Sequence, residues 1–287
     1  MHYYLIDPSQ FDGKNFEFHQ TQLFSLLNEY QIAGETARVT RLRSIKDLVG
    51  TALGHGAKTL VVVGSDETLS NVIGLCRNKA VTLGFIPLNS QSEVGKIIGA
   101  SGLENSVAAL AKRRIEELDL VSANDKYIFS NIVFGPLPEL TGSVIGKSPG
   151  LTSLWRLEPV ATELKIDGAY KINVPLVAGA IINARSKRTC PQAKFEPALC
   201  NPKDGRLDVV LAGQISKYQA WRYRRSLSQQ CYENIPGVTV IRAKKVEIRQ
   251  PAGMNIFLSG RPAFTSPLKL EVVKERVRIV VSRERQF

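Results

Sequence analysis

The chain has 287 residues, long enough for one large domain or two of ordinary size. An apolar share of 44% beside 22% charged residues excludes a disordered, collagen-like or coiled-coil protein, and no window approaches the ~18 uninterrupted apolar residues of a membrane-spanning helix. With 38 Lys and Arg against 26 Asp and Glu, the formal charge is +12, which favours anionic partners such as lipid headgroups, nucleotides or nucleic acid.

Residues 2–6 form a short apolar and aromatic strand that ends at Asp7-Pro8. Residues 16–30 place Phe18, Leu23, Phe24, Leu26, Leu27 and Tyr30 at near-helical spacing. A second short strand covers 37–40. Ser44, with Asp47 three residues on, has the pattern of a capping box; its helix runs to His55-Gly56, where Gly56 suits a left-handed stop. The run TLVVV at 59–63 is continuous and apolar, as in a parallel strand buried on both faces. Gly64 to Glu67 is a turn, and 68–76 is apolar at helical spacing. TLGFIPL at 82–88 is another buried strand, followed by helical stretches at 93–98 and 104–112. This alternation predicts a doubly wound α/β domain over residues 1–122, with its ligand at the carboxyl ends of the strands. Those ends are Asp7-Pro8, Thr40, 64–68 and 89–93.

From 123 to 287 the pattern changes. Strand-like stretches at 127–133, 163–166, 176–183, 207–211, 238–242, 246–248, 255–258 and 268–281 are separated by turns such as Asp167-Gly168, Asp204-Gly205, Pro236-Gly237 and Ser259-Gly260. They predict a mainly antiparallel β domain. Only 214–232 reads as helical, and 135–150 reads as a loop.

The four cysteines, Cys76, Cys190, Cys200 and Cys231, lie far apart without CxxC spacing, and are expected as reduced thiols of a cytoplasmic protein. The first residues lack the basic and apolar regions of a signal peptide, so none is expected. His2, His19 and His55 have no partner at metal-ligand spacing, and no GxSxG elbow supports a hydrolase. Basic residues gather at 112–114, 222–225, 244–245 and 276–285. Trp221 and Tyr223 interleave the second group, a pattern open to a membrane-interface anchor, a base-stacking site or a helix with a half-buried aromatic face.

The segment TLVVVGSDETLSNVIG resembles the nucleotide loop of the diacylglycerol kinase catalytic family, which includes bacterial lipid kinases and sphingosine kinases. That family has an apolar strand, Gly-Gly-Asp-Gly-Thr, then a helix; here the pattern falls on Gly64-Ser65-Asp66-Glu67-Thr68. Its second motif, Pro-Leu-Gly-Thr-(Gly/Ala)-Asn-Asp-Phe, aligns with IPLNSQSEV and places its loop on Asn89, Ser90, Gln91, Ser92 and Glu93. The family's opening Asn-Pro-x-(Ser/Ala)-Gly is echoed by Asp7-Pro8-Ser9, and its threonine after the second strand falls on Thr40. AGAIINA and CPQAKFEPALCNPKDGRLDVVL echo the β half. The similarity runs in order along nearly the whole chain, except at 135–161.

The resemblance implies an α/β nucleotide domain (1–122) followed by an antiparallel β-sandwich (123–287), as in the lipid-kinase and NAD-kinase fold, with strands near 270–281 returning to the first domain. It implies ATP and Mg²⁺ as cofactors, phosphoryl transfer to a lipid hydroxyl, and a structural Mg²⁺ at Asp204. It also exposes three departures. Ser65 and Glu67 replace loop glycines, and a like charge at ~5 Å and an effective dielectric of ~20 costs about 3 kcal/mol. The second loop loses its glycines. Arg261 stands where the family's Asp-Gly-Glu supplies the general base, and a guanidinium accepts no proton. These departures predict a degenerate lipid kinase without phosphotransfer that binds a lipid, an anionic membrane or a protein partner, peripheral at the membrane. Two alternatives stay open on the sequence: an active ATP- and Mg-dependent lipid kinase with Glu93 or Asp208 as base, and a basic subunit binding nucleic acid or an acidic partner. A homo-oligomer is compatible with each.

Overall fold

The TLVVV strand lies at the centre of a parallel sheet. In the computed structural model, which describes residues 1–10, 13–141, 157–186 and 200–287, the chain divides into two units. One comprises Met1–Leu120 with Lys274–Gln286, the other Val121–Val273 with Phe287.

The first unit runs β1 (His2–Ile6), a 3-10 turn at Pro8–Gln10, α1 (Gly13–Glu29), β2 (Glu35–Arg38), α2 (Ile45–Gly54), β3 (Thr59–Gly64), α3 (Asp66–Cys76), β4 (Thr82–Pro87), α4 (Glu93–Ile98), α5 (Leu103–Lys112) and β5 (Ile115–Ala123), whose end enters the second unit. The strands lie in the order β2-β1-β3-β4, all parallel. Tyr4, Ile6, Val61, Val63 and Ile86 pack on one face with Phe16, Leu23 and Leu27 of α1 and Val107 and Leu110 of α5. The alternate residues Leu5, Leu60 and Val62 are equally buried. With both faces covered, a strand has no polar side, which is why its sequence is an unbroken apolar run. Ser44 caps α2 in a reciprocal capping box with Asp47.

The second unit runs β6 (Lys126–Ile128), β7 (Asn131–Phe134), α6 (Pro136–Thr141), β8 (Val160–Ile166), β9 (Tyr170–Leu176), β10 (Ala178–Ile182), β11 (Leu207–Ala212), α7 (Lys217–Arg222), α8 (Arg224–Ser228), a 3-10 turn at Tyr232–Asn234, β12 (Thr239–Ala243), β13 (Lys245–Gln250), β14 (Asn255–Leu258), β15 (Arg261–Thr265) and β16 (Leu268–Val280). One antiparallel sheet has the order β12-β11-β10-β7-β14-β15. The start of β16 pairs with β13, and β13, β8 and β9 follow in antiparallel order. Ile132, Phe134, Ile181 and Val209 from the first sheet meet Leu164, Ile166, Val246 and Leu270 from the second in one core. The opposite face of the six-stranded sheet, with Val133, Ala180, Ile182 and Val210, is covered by Leu137, Ala220, Leu227 and Tyr232. This is the expected α/β domain and β-sandwich-like domain. The last residues of β16 belong to the first unit, where Ile279 pairs with Leu83 in parallel.

Several local expectations need correction. β5 was hidden because Glu116, Glu117 and Asp119 break its apolar pattern. Those acids face arginines from the chain's end: Asp119 meets Arg276 at 2.9 Å, Glu116 meets Arg285 at 3.3 Å and Glu117 lies 3.9 Å from Arg278. β9 and β15 carry Pro175 and Pro262, which argue against a central strand, but both are edge strands where a missing N–H costs little. The stretch 127–133 divides into β6 and β7, and 214–232 breaks at Tyr223 into two short helices. Residues 136–141 of the expected loop are helical, and 142–150, like Cys190, lie outside the described residues. The expectation of reduced thiols holds for Cys76 and Cys200. It fails at Cys231, which is disulfide-bonded.

Candidate functional site

At the carboxyl end of β3 the chain turns directly into α3. Gly64 packs closely against its neighbours: a Cβ there would lie 3.3 Å from Asp7 Cβ and 3.2 Å from Thr68 Oγ1, so both would have to yield by a few tenths of an ångström. Ser65 has φ −91° and ψ 167°, an extended N-cap conformation open to any residue, so the turn makes no use of a glycine at that position. Its Oγ accepts the Thr68 N–H at 3.1 Å and lies 2.9 Å from Thr68 Oγ1. Thr68 Oγ1 donates to Asp7 Oδ2 at 2.5 Å, and Asp7 Oδ1 accepts the Ser9 N–H at 3.0 Å. Asp7, at the end of β1, thus closes a polar chain through Thr68 to Ser65.

Asp66 does not cap its own helix. Its carboxylate reaches α4, accepting the Ser92 hydroxyl, the Glu93 N–H at 3.0 Å and the Val94 N–H at 3.3 Å. Ser92 Oγ in turn caps α4 by accepting the Gly95 N–H at 2.8 Å. Burial raises the Asp66 carboxyl pKa above its ordinary value against the opposing pull of these hydrogen bonds. Glu67 is exposed in the first turn of α3, and Glu93 is buried at the start of α4. Asn89 and Ser90 are exposed, and Asn89 Oδ1 accepts the Gln91 N–H at 2.8 Å.

Thr40 lies beyond β2, in the turn that follows it. Its Oγ1 accepts the N–H groups of Leu42 at 3.3 Å and Arg43 at 3.1 Å. Beside it, an open hollow of about 620 Å³ is lined by Pro8, Ser9, Phe16, Arg38, Thr40 and Arg41 among others. The Arg38 guanidinium stands 4.4 Å over the Phe16 ring, a cation–π contact. The structure therefore gathers Pro8, Ser9 and Thr40 around one hollow and links Ser65 and Thr68 to it through Asp7, while Asp66 is tied to the start of α4. Arg38 and Arg41 were not singled out from the sequence, and Asp7 and Ser92 were named only as members of their loops. Ser92 carried a signal, since a serine directly before Glu93 and the apolar residues of α4 is an N-cap pattern.

In the second unit, Asp204 Oδ1 accepts the Arg206 N–H at 3.0 Å. Asp208 accepts the Cys200 N–H at 2.6 Å and pairs with Arg242 at 3.3 Å, and burial raises its pKa above the ordinary value. Arg261 is exposed at the start of β15, opposite Leu258 across a turn in which Ser259 and Gly260 both have positive φ.

The comparisons with known proteins bear on this arrangement. Residues 146–281 match the family model described as the YegS C-terminal NAD kinase beta sandwich-like domain. No curated protein matches the sequence. A chain from Bacillus anthracis str. Sterne, provisionally assigned as a diacylglycerol kinase, superposes with a TM-score of 0.74 at 13% identity, covering 99% of this chain and 96% of that one. A structure of diacylglycerol kinases from the same organism gives 0.69 at 13% identity, over 98% and 97%. The fold is that of the diacylglycerol kinases. An NAD kinase from Archaeoglobus fulgidus, in complex with ATP, gives 0.55 at 12% identity, over 100% and 96%.

The site residues of this diacylglycerol-kinase-like chain fit Mg²⁺ and a triphosphate poorly. Asp66, the carboxylate kept from the first motif, has both oxygens engaged by α4, and Glu93, the acid at the second motif's Asp position, is buried. Ser65 and Thr68 are committed to each other and to Asp7. The carboxylates at 204 and 208 are likewise engaged by backbone N–H groups and Arg242, and among the described residues no three His, Cys, Asp or Glu side chains gather as metal ligands. Because Ser65 acts as a cap, Ser65→Ala is expected to lower stability by about 1 kcal/mol in denaturant titration, and Ser65→Gly by only a few tenths. Equal costs for the two would contradict the capping role.

Proposed function

We propose that this chain is a diacylglycerol-kinase-like protein that does not transfer phosphate and instead binds an anionic lipid or membrane surface. The observation that carries the reading is the engagement of Asp66: a carboxylate that holds Ser92 and two backbone N–H groups is not available to organise a metal–phosphate complex. Arg261 supports it, since the position of the family's base holds a group that cannot accept a proton. The arginine-lined hollow and the +12 charge favour an anionic ligand. No helix among the described residues is long and apolar enough to cross a membrane, so the membrane attachment proposed is peripheral.

Assays of phosphoryl transfer from ATP to diacylglycerol test the reading. The wild type, Arg261→Glu, and Arg261→Glu combined with Glu67→Gly are each expected to give no turnover above a protein-free blank, because neither change releases Asp66. Turnover in Arg261→Glu alone would show that the phosphate loop is no obstacle and overturn the reading.

A further inference from the structure

The segment 216–228 lies in the second unit and takes no part in the site described above. Its backbone is fixed from within. Ser216 Oγ accepts the Gln219 N–H at 3.2 Å, Gln219 Oε1 accepts the Ser216 N–H at 3.0 Å, and Gln219 Nε2 donates to the Pro236 carbonyl at 3.2 Å. Ala220 of α7 and Leu227 of α8 anchor it in the core beneath the six-stranded sheet, with Tyr223 packed partly against them. Tyr218, Trp221 and Arg222, spaced i, i+3 and i+4, are left on a shared outer face. Tyr218 is 63% exposed and Trp221 51% exposed, with ring centroids 6.3 Å apart. A half-buried aromatic face therefore accounts for Tyr223 but not for these two rings.

The charge beside them has no acid in its own stretch of sequence. Arg222, Arg224 and Arg225 are all exposed, and Tyr223 and then Tyr218 lie close enough to Arg222 to raise its pKa above the ordinary value. No acidic residue occurs between Asp208 and Glu233, and those two pair elsewhere, with Arg242 and Arg185. Exposed Trp and Tyr with an apolar body and a polar tip, flanked by arginines on a rigid support, match the chemistry of a bilayer interface: rings at headgroup depth, guanidinium groups on phosphates. Two short helices with tilted rings form no groove that would track a nucleic acid strand.

We propose that the face formed by Tyr218, Trp221, Arg222, Arg224 and Arg225 docks on an anionic lipid bilayer. The proposal rests on the membrane-binding part of the function above and names the surface that performs it. The test is co-sedimentation at low salt with phosphatidylcholine vesicles, with and without phosphatidylglycerol, alongside Trp221 fluorescence in a Trp155→Phe background. The full chain is expected to bind only the vesicles containing phosphatidylglycerol, with a blue shift of Trp221 emission. At about fivefold per arginine, Arg222→Glu with Arg225→Glu should weaken binding by ~25-fold or more. Trp221→Ala should weaken it as well, and Arg283→Glu, an exposed charge outside the face, far less. Wild-type binding that these variants leave unchanged would overturn this surface and leave the proposed function standing. Wild-type protein that ignores anionic vesicles would overturn both. Binding of a single-stranded oligonucleotide, without vesicle binding and lost in the same variants, would overturn the proposal in favour of nucleic acid.

Discussion

Replacing Asp66 by Ala is expected to destabilise the protein by about 3 kcal/mol, while Asp66→Asn stays within about 1 kcal/mol of wild type. Alanine leaves the N–H groups of Glu93 and Val94 and the Ser92 hydroxyl without their acceptor at the start of α4. Asparagine keeps the arrangement: its Oδ1 accepts the two N–H groups and its Nδ2 donates to Ser92 Oγ. The pH dependence carries the same signature. Burial raises the Asp66 pKa above 3.8. An acid whose pKa is raised by folding stabilises most when protonated; its contribution is complete below the unfolded value and is lost as pH rises through the folded one. Asp66→Asn removes that loss, so the variant should gain on wild type between acid and neutral pH. Denaturant titrations across that range test this. Equal, small effects of Ala and Asn would mean that Asp66 does not tie α3 to α4.

Breaking the ion pair beneath the six-stranded sheet should cost as much or more. Arg185 Nη1 lies 2.7 Å from Glu233 Oε1, with side-chain exposures of 3% and 4%. Removing Arg185 leaves the Glu233 carboxylate charged in a low-dielectric core, for about 3 to 5 kcal/mol, whereas replacing both by apolar residues of similar size removes that charge. Arg185→Met is therefore expected to lower the unfolding midpoint sharply, and Arg185→Met with Glu233→Leu to recover much of the loss. A cost for Arg185→Met below about 1 kcal/mol would show that water reaches the carboxylate. Since the pair lies in the second unit, neither variant should alter the Ser65–Thr68–Asp7 contacts.

Much of this structure follows from local pattern. TLVVV and TLGFIPL read as buried parallel strands because a sheet covered on both faces leaves no polar alternation, and Ser44 with Asp47 marked a helix start through a bond three residues long. What was not legible depends on distance in sequence. The carboxylate of Asp66 closes on a segment 26 residues away, which nothing in its own stretch of sequence announces. The acids of β5 lie beside arginines more than 150 residues later, so nothing near them in sequence marks a strand. The site's loops were located by resemblance to a motif, but the motif carried no information on which side chains had turned inward to one another. Cys231 shows the same limit, since spacing alone gave no sign of its disulfide.

On the function proposed above, the loop from Gly64 to Thr68 does not receive a metal-bound triphosphate. Calorimetric titration of the full chain with ATP and Mg²⁺ at low salt, repeated with ADP, tests it most directly. The structure predicts no heat of binding and no thermal shift with either nucleotide. Micromolar binding of ATP that requires Mg²⁺ would contradict it, because Asp66 would then have to release α4 to the metal.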